Sequence, residues 1–397
     1  MAFPPGSWRS RIEMRIGINA LYLIPDRVGG SEIYLRRLLS ALARIDSTNH
    51  YVIFTNRENR GSFPLARNFT EHFCPVNALF RPHRILWEQF ILPFHVKKER
   101  LDVLHSPGFT APLFCPCPSV VTFLDTIYLE FPETFPSGAR WAMKFLADRS
   151  ASRSRAVIAL SHYSRDQIIW SLDVAPDQVD VIHMAPGLET GKARPRLEAN
   201  TVLNRYGIKY PYILAVSAAH PHKNLVRLIE AYYLSRQEGV DHDLVLMGVK
   251  HRRYFQMVRN TVKRLDLEDK VVFTGWVPEE EKAAVYSGAD LLVYPSLLEG
   301  FGLPVVEAMR LGVPVACSDV PSLQEAAGDA ARFFNPHSVE EIAAAIKDCL
   351  RDDDLRRHLI ARGRSQAGKF SWDDTARRTL EVYRCAASTP GTGGKER

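Results

Sequence analysis

The sequence predicts an α/β protein built of two doubly wound parallel-sheet domains in series, and three observations predict it. Short apolar β-type runs alternate with helical stretches from Met14 to His183. Ala185 to Leu197, APGLETGKARPRL, then breaks the alternation with glycines, prolines and charges, as a linker does. A new strand at Tyr212 to Ser217 restarts it. At 397 residues the chain also exceeds what one core usually holds. The expected boundaries are 14–186 for the first domain, 199–370 for the second and 371–386 for a helix returning to the first. Residues 1–13 and 387–397 are expected to be disordered.

The composition narrows the class. A hydrophobic content of 46% with 24% charged residues suits a soluble globular protein. The net charge of +6 is spread over both halves, which argues against nucleic acid as a partner. Six cysteines are scattered, with one C-x-C pair and no C-x-x-C, so neither a zinc site nor a disulfide framework is expected. No apolar run approaches the ~18 residues of a membrane span, and the N-terminus has no apolar signal core. A cytoplasmic location follows as the expectation.

In the first half, Met14 to Ala20 reads as a strand and Leu21 to Gly30 as a loop ending in Gly29 and Gly30. Ser31 can cap the helix Glu32 to Arg44. The G-x-G-x-x-G spacing of a dinucleotide site is missing, so a nicotinamide cofactor is not indicated. Tyr51 to Thr55 and Phe69 to Cys74 are strands, His83 to Arg100 a helix, and Val103 to His105 and Val120 to Phe123 further strands. His105 is expected to be structural. Asp125 follows an apolar strand, where a loop can aim side chains into a cleft. Ser137 to Arg155 is a basic helix with Trp141, Lys144, Phe145, Arg149 and Arg153, suited either to an anionic membrane surface or to solvent. Ala156 to Leu160, a helix capped by Ser161, and Val179 to His183 complete this half.

The second half carries the sharper chemistry. His220-Pro221-His222-Lys223-Asn224 links a strand to the helix Leu225 to Leu234, so Lys223 adds a full charge near a positive helix end and suits a leaving diphosphate. Asp241-His242-Asp243 imitates a metal-binding D-x-D but precedes its strand and reads as turn chemistry. Val271 to Thr274 leads into a loop with Val277. The central stretch is Asp290 to Gly312, DLLVYPSLLEGFGLPVVEAMRLG. Leu291 to Tyr294 is a strand, Pro304 suits a first helical turn, and Gly312 suits the position just past the helix end. Glu299 and Glu307 straddle the loop Leu298 to Leu303. Helix-end amides favour an anion, while ionised carboxylates accept hydroxyl groups only. The implied ligand contains both a phosphate and a sugar.

Glu299-x7-Glu307 enclosing Gly300-Phe301-Gly302 resembles the signature of the family 4 glycosyltransferases, retaining enzymes of the GT-B fold, in which two Rossmann-like domains face each other across a cleft. The resemblance spans about residues 14–385. It implies that Glu299 contacts the donor sugar and Glu307 the nucleotide ribose, with Gly300, Phe301, Gly302 and Leu303 forming the donor loop. His222-Lys223-Asn224-Leu225 resembles the family's R-K-N-L element, with His222 in place of arginine, and Ser217 stands where some members carry a second arginine. Gly29 and Gly30 would lie near the diphosphate, and backbone groups around Val277 would frame the base. Phe370-Ser371-Trp372 resembles the start of the helix that crosses back to the first domain.

Leu124 departs from the family, where the residue before Asp125 is commonly a histidine contacting the donor sugar near C6. Either the donor has a less polar C6, or a main-chain group replaces the imidazole. The resemblance implies a hexosyltransferase needing no metal or other cofactor, with Lys223, Glu299 and Asp125 as its catalytic groups. Arg84-Ile85-Leu86-Trp87-Glu88, Asp125 and Pro132-Glu133 resemble bacterial mannosyltransferases of polysaccharide and O-antigen assembly. GDP-mannose is thus the expected donor and a lipid-linked or growing glycan at the inner membrane face the acceptor; UDP-glucose and UDP-N-acetylglucosamine stay open. A sugar-nucleotide epimerase of this fold and a non-catalytic sugar-nucleotide-binding protein are the alternatives.

Overall fold

The computed structural model describes residues 13–25, 29–63, 66–127, 137–188, 196–218, 220–248 and 252–388. Seven strands form the first sheet: β1 (Arg15–Asn19), β2 (His50–Thr55), β3 (Phe69–Phe73), β4 (Val103–Ser106), β5 (Ser119–Phe123), β6 (Ala156–Ala159) and β7 (Val179–Val181). They lie parallel in the order β3-β2-β1-β4-β5-β6-β7. Six form the second: β8 (Tyr212–Val216), β9 (Asp243–Met247), β10 (Val271–Gly275), β11 (Leu291–Tyr294), β12 (Val315–Ser318) and β13 (Arg332–Phe334), ordered β10-β9-β8-β11-β12-β13. Central strands such as β5, β11 and β12 are buried throughout, which explains why they are mostly apolar on both faces. The fold is GT-B, as expected.

Helices alternate with these strands. The first half holds α1 (Gly30–Ile45), α2 (Arg81–Phe90), α3 (Leu92–Lys98), α4 (Ser137–Arg153) and α5 (His162–Leu172). The second holds α6 (Arg196–Arg205), α7 (Leu225–Gln237), α8 (Arg252–Arg264), α9 (Glu279–Ser287), α10 (Leu303–Arg310), α11 (Pro321–Ala327), α12 (Val339–Arg351) and α13 (Asp353–Gly368). The last helix, α14 (Trp372–Ser388), returns to the first half and packs on α1. Its Trp372, Leu380 and Tyr383 share a core with Leu35, Leu38 and Ile18. The Tyr383 hydroxyl also lies 2.6 Å from Nδ1 of His105, whose Nε2 lies 2.7 Å from Thr122 Oγ1. His105 is therefore the buried structural group that its position implied.

Three expectations are corrected. Ser31 does not cap α1: the helix begins at Gly30, and Gly29 stands before it with φ 59° and no side-chain cap bond. The helix expected over His83 to Arg100 is two helices that break at Ile91, because Pro93 has no N–H to donate and its ring would crowd the carbonyl four residues back. The C-terminal helix runs to Ser388, two residues beyond 386. Pro132, Glu133 and the ends 1–12 and 389–397 lie outside the described residues.

Both sheets have a point where the strand order reverses. In the first sheet β1 sits between β2 and β4; in the second β8 sits between β9 and β11. Ligands of open parallel sheets bind at the carboxyl ends of such strands. The loops after β8 and β11 carry Lys223 and Glu299.

Candidate active site

The Lys223 loop is held in place by its own sequence. Pro221 to Lys223 form one 3-10 turn, and Asn224, at φ 58°, redirects the chain into α7. Asn224 Nδ2 donates to the carbonyls of Pro295 (3.1 Å) and Pro336 (2.7 Å), while its Oδ1 accepts from Arg227 (3.0 Å). The side chain expected at the donor is thus spent on joining this loop to the one after β11. A second tie runs from the amide of Leu297 to the carbonyl of His222, at 2.7 Å. The two switch-point loops are one rigid unit.

On that unit Lys223 Nζ hydrogen-bonds to Glu299 Oε1 and to the Tyr294 hydroxyl at 3.1 Å. Burial works against the ammonium, but Glu299 and Tyr294 outweigh it and hold Lys223 above its ordinary pKa. Glu299 likewise suffers burial, and Lys223 more than offsets this, so the carboxyl sits below its usual range. Both are charged near neutral pH. An ammonium has three N–H donors, and two are engaged here, leaving the third for a ligand oxygen. His222 is buried beside Lys223, stacks with His220 and is pushed down to about 3, chiefly by burial, so it is neutral.

Across the cleft, Asp125 Oδ1 accepts from the amide of Ile127 at 3.1 Å. Burial, and next the facing Glu299, push its carboxyl up to about 6. The structure thereby brings Asp125, Lys223 and Glu299 into one electrostatic group. The first domain also reaches the donor loop through Gly300. A Cβ at Gly300 would lie 1.9 Å from the carbonyl oxygen of Leu124. The Gly300 carbonyl accepts from the hydroxyls of Ser161 (2.7 Å) and Ser164 (3.0 Å) at the start of α5. Gly300→Ala must therefore push a backbone carbonyl aside. The expected cost is ~1–3 kcal/mol of stability with a loss of turnover, read from thermal denaturation and donor consumption; an unchanged melting temperature would contradict this contact.

Glu307, one turn into α10, is buried with Tyr286, whose hydroxyl donates to Oε2 at 2.9 Å. Its Oε1 has no well-formed partner among the described residues, only the approach of the Gly187 amide. Burial and the neighbouring Glu279 raise the Glu307 carboxyl to about 7. Glu279 is bonded to Lys282 at 2.6 Å and reaches Arg37 of α1 at 3.8 Å. A Cβ on Gly187 would come within 3.6 Å of Glu279, Arg37 and Glu307 alike. Gly187, Glu279 and Arg37 join the site only in the folded chain, Gly187 lying within the expected linker. The acidic start of α9, Glu279-Glu280-Glu281, was the available signal.

The other expected residues are placed as follows. Gly302, at φ 106°, is the residue before α10, with Leu303 first in the helix and Pro304 second. Phe301 turns its ring away from the loop onto Phe370 (5.2 Å) and His183 (5.6 Å), so only its backbone faces the donor side. Val277 is likewise a core side chain. Gly29 and Gly30 have open space at the start of α1. Ser217 donates to the Ala218 carbonyl (3.1 Å), and its own carbonyl is where a Cβ at Gly248 would clash. Asp241 pairs with Arg236, and Asp243, the first residue of β9, pairs with Lys270.

Among the described residues one triplet has metal-ligand proximity: His162, His183 and Glu325, with ligand atoms within 4.8 Å of one another. It lies at the seam between the domains. Glu325 there accepts from the His162 amide (2.8 Å) and from His183 Nε2 (2.5 Å).

The chain resembles known proteins along both domains. Residues 28–185 match the family described as Glycosyltransferase Family 4, and residues 203–366 match Glycosyl transferases group 1. The O-antigen chain mannosyltransferase B of Escherichia coli is 32% identical over 284 residues, 71% of this chain and 74% of that protein. The chain belongs to glycosyltransferase family 4. It is accordingly an enzyme of the hexosyltransferase class. The serotype-specific mannosyltransferase WbdA of Escherichia coli is 30% identical over 288 residues, covering 70% of this glycosyltransferase but only 35% of WbdA. Among solved structures, Anabaena HepE in complex with UDP-glucose superposes with a TM-score of 0.72 at 19% identity, over 93% of this chain and 99% of that one. No described helix of the enzyme is long and apolar enough to cross a membrane.

Proposed function

We propose that the enzyme transfers mannose from GDP-mannose, with retention of anomeric configuration, to a lipid-linked or growing polysaccharide acceptor of the O-antigen type. The observation that carries this is the buried Lys223–Glu299–Tyr294 cluster facing Asp125 at the switch point of the second sheet. The names of the mannosyltransferase relatives supply the sugar. The partner is therefore a nucleotide-diphosphate sugar, and the chemistry assigned to these residues uses neither metal nor cofactor. Contact with the inner membrane face belongs to the same proposal.

In this reading the diphosphate lies against the amides of Gly302 and Leu303 and the third N–H of Lys223. Glu299 accepts from sugar hydroxyls with its remaining oxygen, and Glu307 Oε1 accepts from the ribose. The bond from the anomeric carbon to the phosphate oxygen breaks, its electron pair passing to the phosphate. The acceptor oxygen bonds to the same carbon from the same face and gives its proton to the departing phosphate. Negative charge grows beside Lys223, where preorganised donors act most strongly.

The Leu124 carbonyl lies against Gly300, a contact that favours a main-chain group in place of the family imidazole. Donor preference is then expected to be unchanged in Leu124→His; a switch of preferred sugar on restoring the ring would favour a donor with a less polar C6. The donor itself is tested by melting the protein with GDP-, UDP-, ADP- and dTDP-sugars. Stabilisation by GDP-mannose that disappears in Glu307→Ala is the expected result, and stabilisation by none of them would overturn the proposal.

A further inference from the structure

We propose that α2, α3 and α4 form one docking face that seats the first domain on an anionic lipid surface. Two rows of exposed apolar side chains lie at four-residue spacing: Leu86 and Phe90 share a face of α2, Trp141 and Phe145 share a face of α4, and Phe94 lies on α3 beyond the break at Ile91. One is Leu86, Phe90 and Phe94, the last two 67% and 74% exposed; the other is Trp141 and Phe145 on α4, continued by Arg149 and Arg153. Large apolar side chains concentrated in this way mark an interaction surface rather than ordinary surface scatter.

The segment between β4 and β5 joins the two rows. Gln89 of α2 donates to the Ala111 carbonyl (3.0 Å) and accepts from the Leu113 amide (3.0 Å). Ser150 of α4 accepts from the Ala111 amide (2.9 Å), and Arg153 donates to the Leu113 carbonyl (3.2 Å). Phe114 projects from this bridge, 73% exposed, with the Arg153 guanidinium 4.7 Å over its ring. The rows are one surface held by fixed contacts.

Its charge selects the occupant. Arg81, Lys97, Lys98, Arg149 and Arg153 are exposed at its margins. The acidic groups of its helices are withdrawn: Glu88 is buried, Glu99 is bonded to Arg15 and His72, and Asp148 is paired with Lys144. Aromatic side chains ringed by these exposed cations fit the interface of an anionic bilayer. Glu88, on the buried side of α2, lies beside Asn19 at the end of β1 and beside Thr110. The docking face thus backs onto the carboxyl ends of β1 and β4, the first domain's wall of the cleft. Resting on the proposed lipid-linked acceptor, this placement lets the acceptor head reach the cleft while its lipid stays in the membrane.

Flotation of the full chain with phosphatidylglycerol-containing vesicles, against vesicles of phosphatidylcholine alone, tests the face. The wild type is expected to float with the anionic vesicles only, and less so at high salt. Phe90→Ser/Phe94→Ser and Lys97→Glu/Lys98→Glu should each lower binding at least about 10-fold, whereas Met257→Ser, an exposed apolar position on α8, should not. Each variant must keep the donor-induced melting shift of the wild type, which shows that it is folded. No flotation of the wild type overturns the proposal, as does a wild-type dimer that Phe90→Ser/Phe94→Ser dissociates without changing lipid binding. Flotation without consumption of any donor would leave the face standing and sink the proposed function instead.

Discussion

Lys223→Ala lowers kcat by about 10²–10³-fold, which corresponds to ~2.7–4 kcal/mol of lost stabilisation of the leaving charge. The same substitution leaves Glu299 as a buried carboxylate without its cation, and breaking such a pair costs ~3–5 kcal/mol of stability. Lower turnover alone could therefore reflect unfolding. Lys223→Met/Glu299→Gln separates the two effects, because it removes both charges together. The double variant should recover most of the melting temperature and none of the turnover. A Lys223→Ala enzyme within a few-fold of the wild type would refute the role given to this residue.

Glu307→Gln weakens donor binding by about 10–100-fold at pH 8, since a hydrogen bond to a charged acceptor is worth ~1.5–3 kcal/mol. The wild type should show the same loss on acidification. Burial and Glu279 raise Glu307 to about 7, so below that pH it holds a proton and is no longer a pure acceptor. Donor KM is expected to rise toward tenfold per pH unit below 7 in the wild type and to stay flatter in Glu307→Gln. Stability moves the other way. Between the ordinary carboxyl value of 4.5 and about 7, the folded state holds a proton that the unfolded chain has released, so rising pH destabilises the fold through this window. Without ligand, Glu307→Gln should therefore melt above the wild type at pH 8, by on the order of 1–3 kcal/mol. Equal donor KM at pH 6 and pH 8 in the wild type would remove Glu307 from the ribose site.

What could be read in advance was whatever the chain encodes locally. The β11 run Leu291 to Tyr294, the proline in the first turn of α10 and Gly312 just after it appear in the structure where their chemistry put them. Ser161 caps α5 as expected, accepting from the Ser164 amide at 3.0 Å. Local rules failed where two of them competed. Ser31 is a good cap residue, but Gly29 adopts a backbone conformation that places the helix start two residues earlier. The apolar periodicity of His83 to Arg100 is real, yet Pro93 breaks the hydrogen-bond ladder within it.

The site was legible as a set of loops and illegible as a set of contacts. Lys223 and Glu299 could be placed at strand ends, but nothing in the sequence said that Tyr294 would complete their cluster or that Asn224 would serve as a tether. Gly187 and Arg37 meet Glu279 and Glu307 only because the linker and α1 converge on the second domain. That convergence belongs to tertiary packing and leaves no local pattern.

The most direct test of the account follows labelled GDP-mannose in wild type and Lys223→Ala, with and without a membrane-extracted glycan acceptor. The account predicts that label moves to the acceptor in the wild type, that free GDP appears with it, and that both fall together in the variant. Conversion of the donor with no acceptor present would point instead to an epimerase, and no conversion under either condition would contradict a catalytic role for the Lys223–Glu299 cluster.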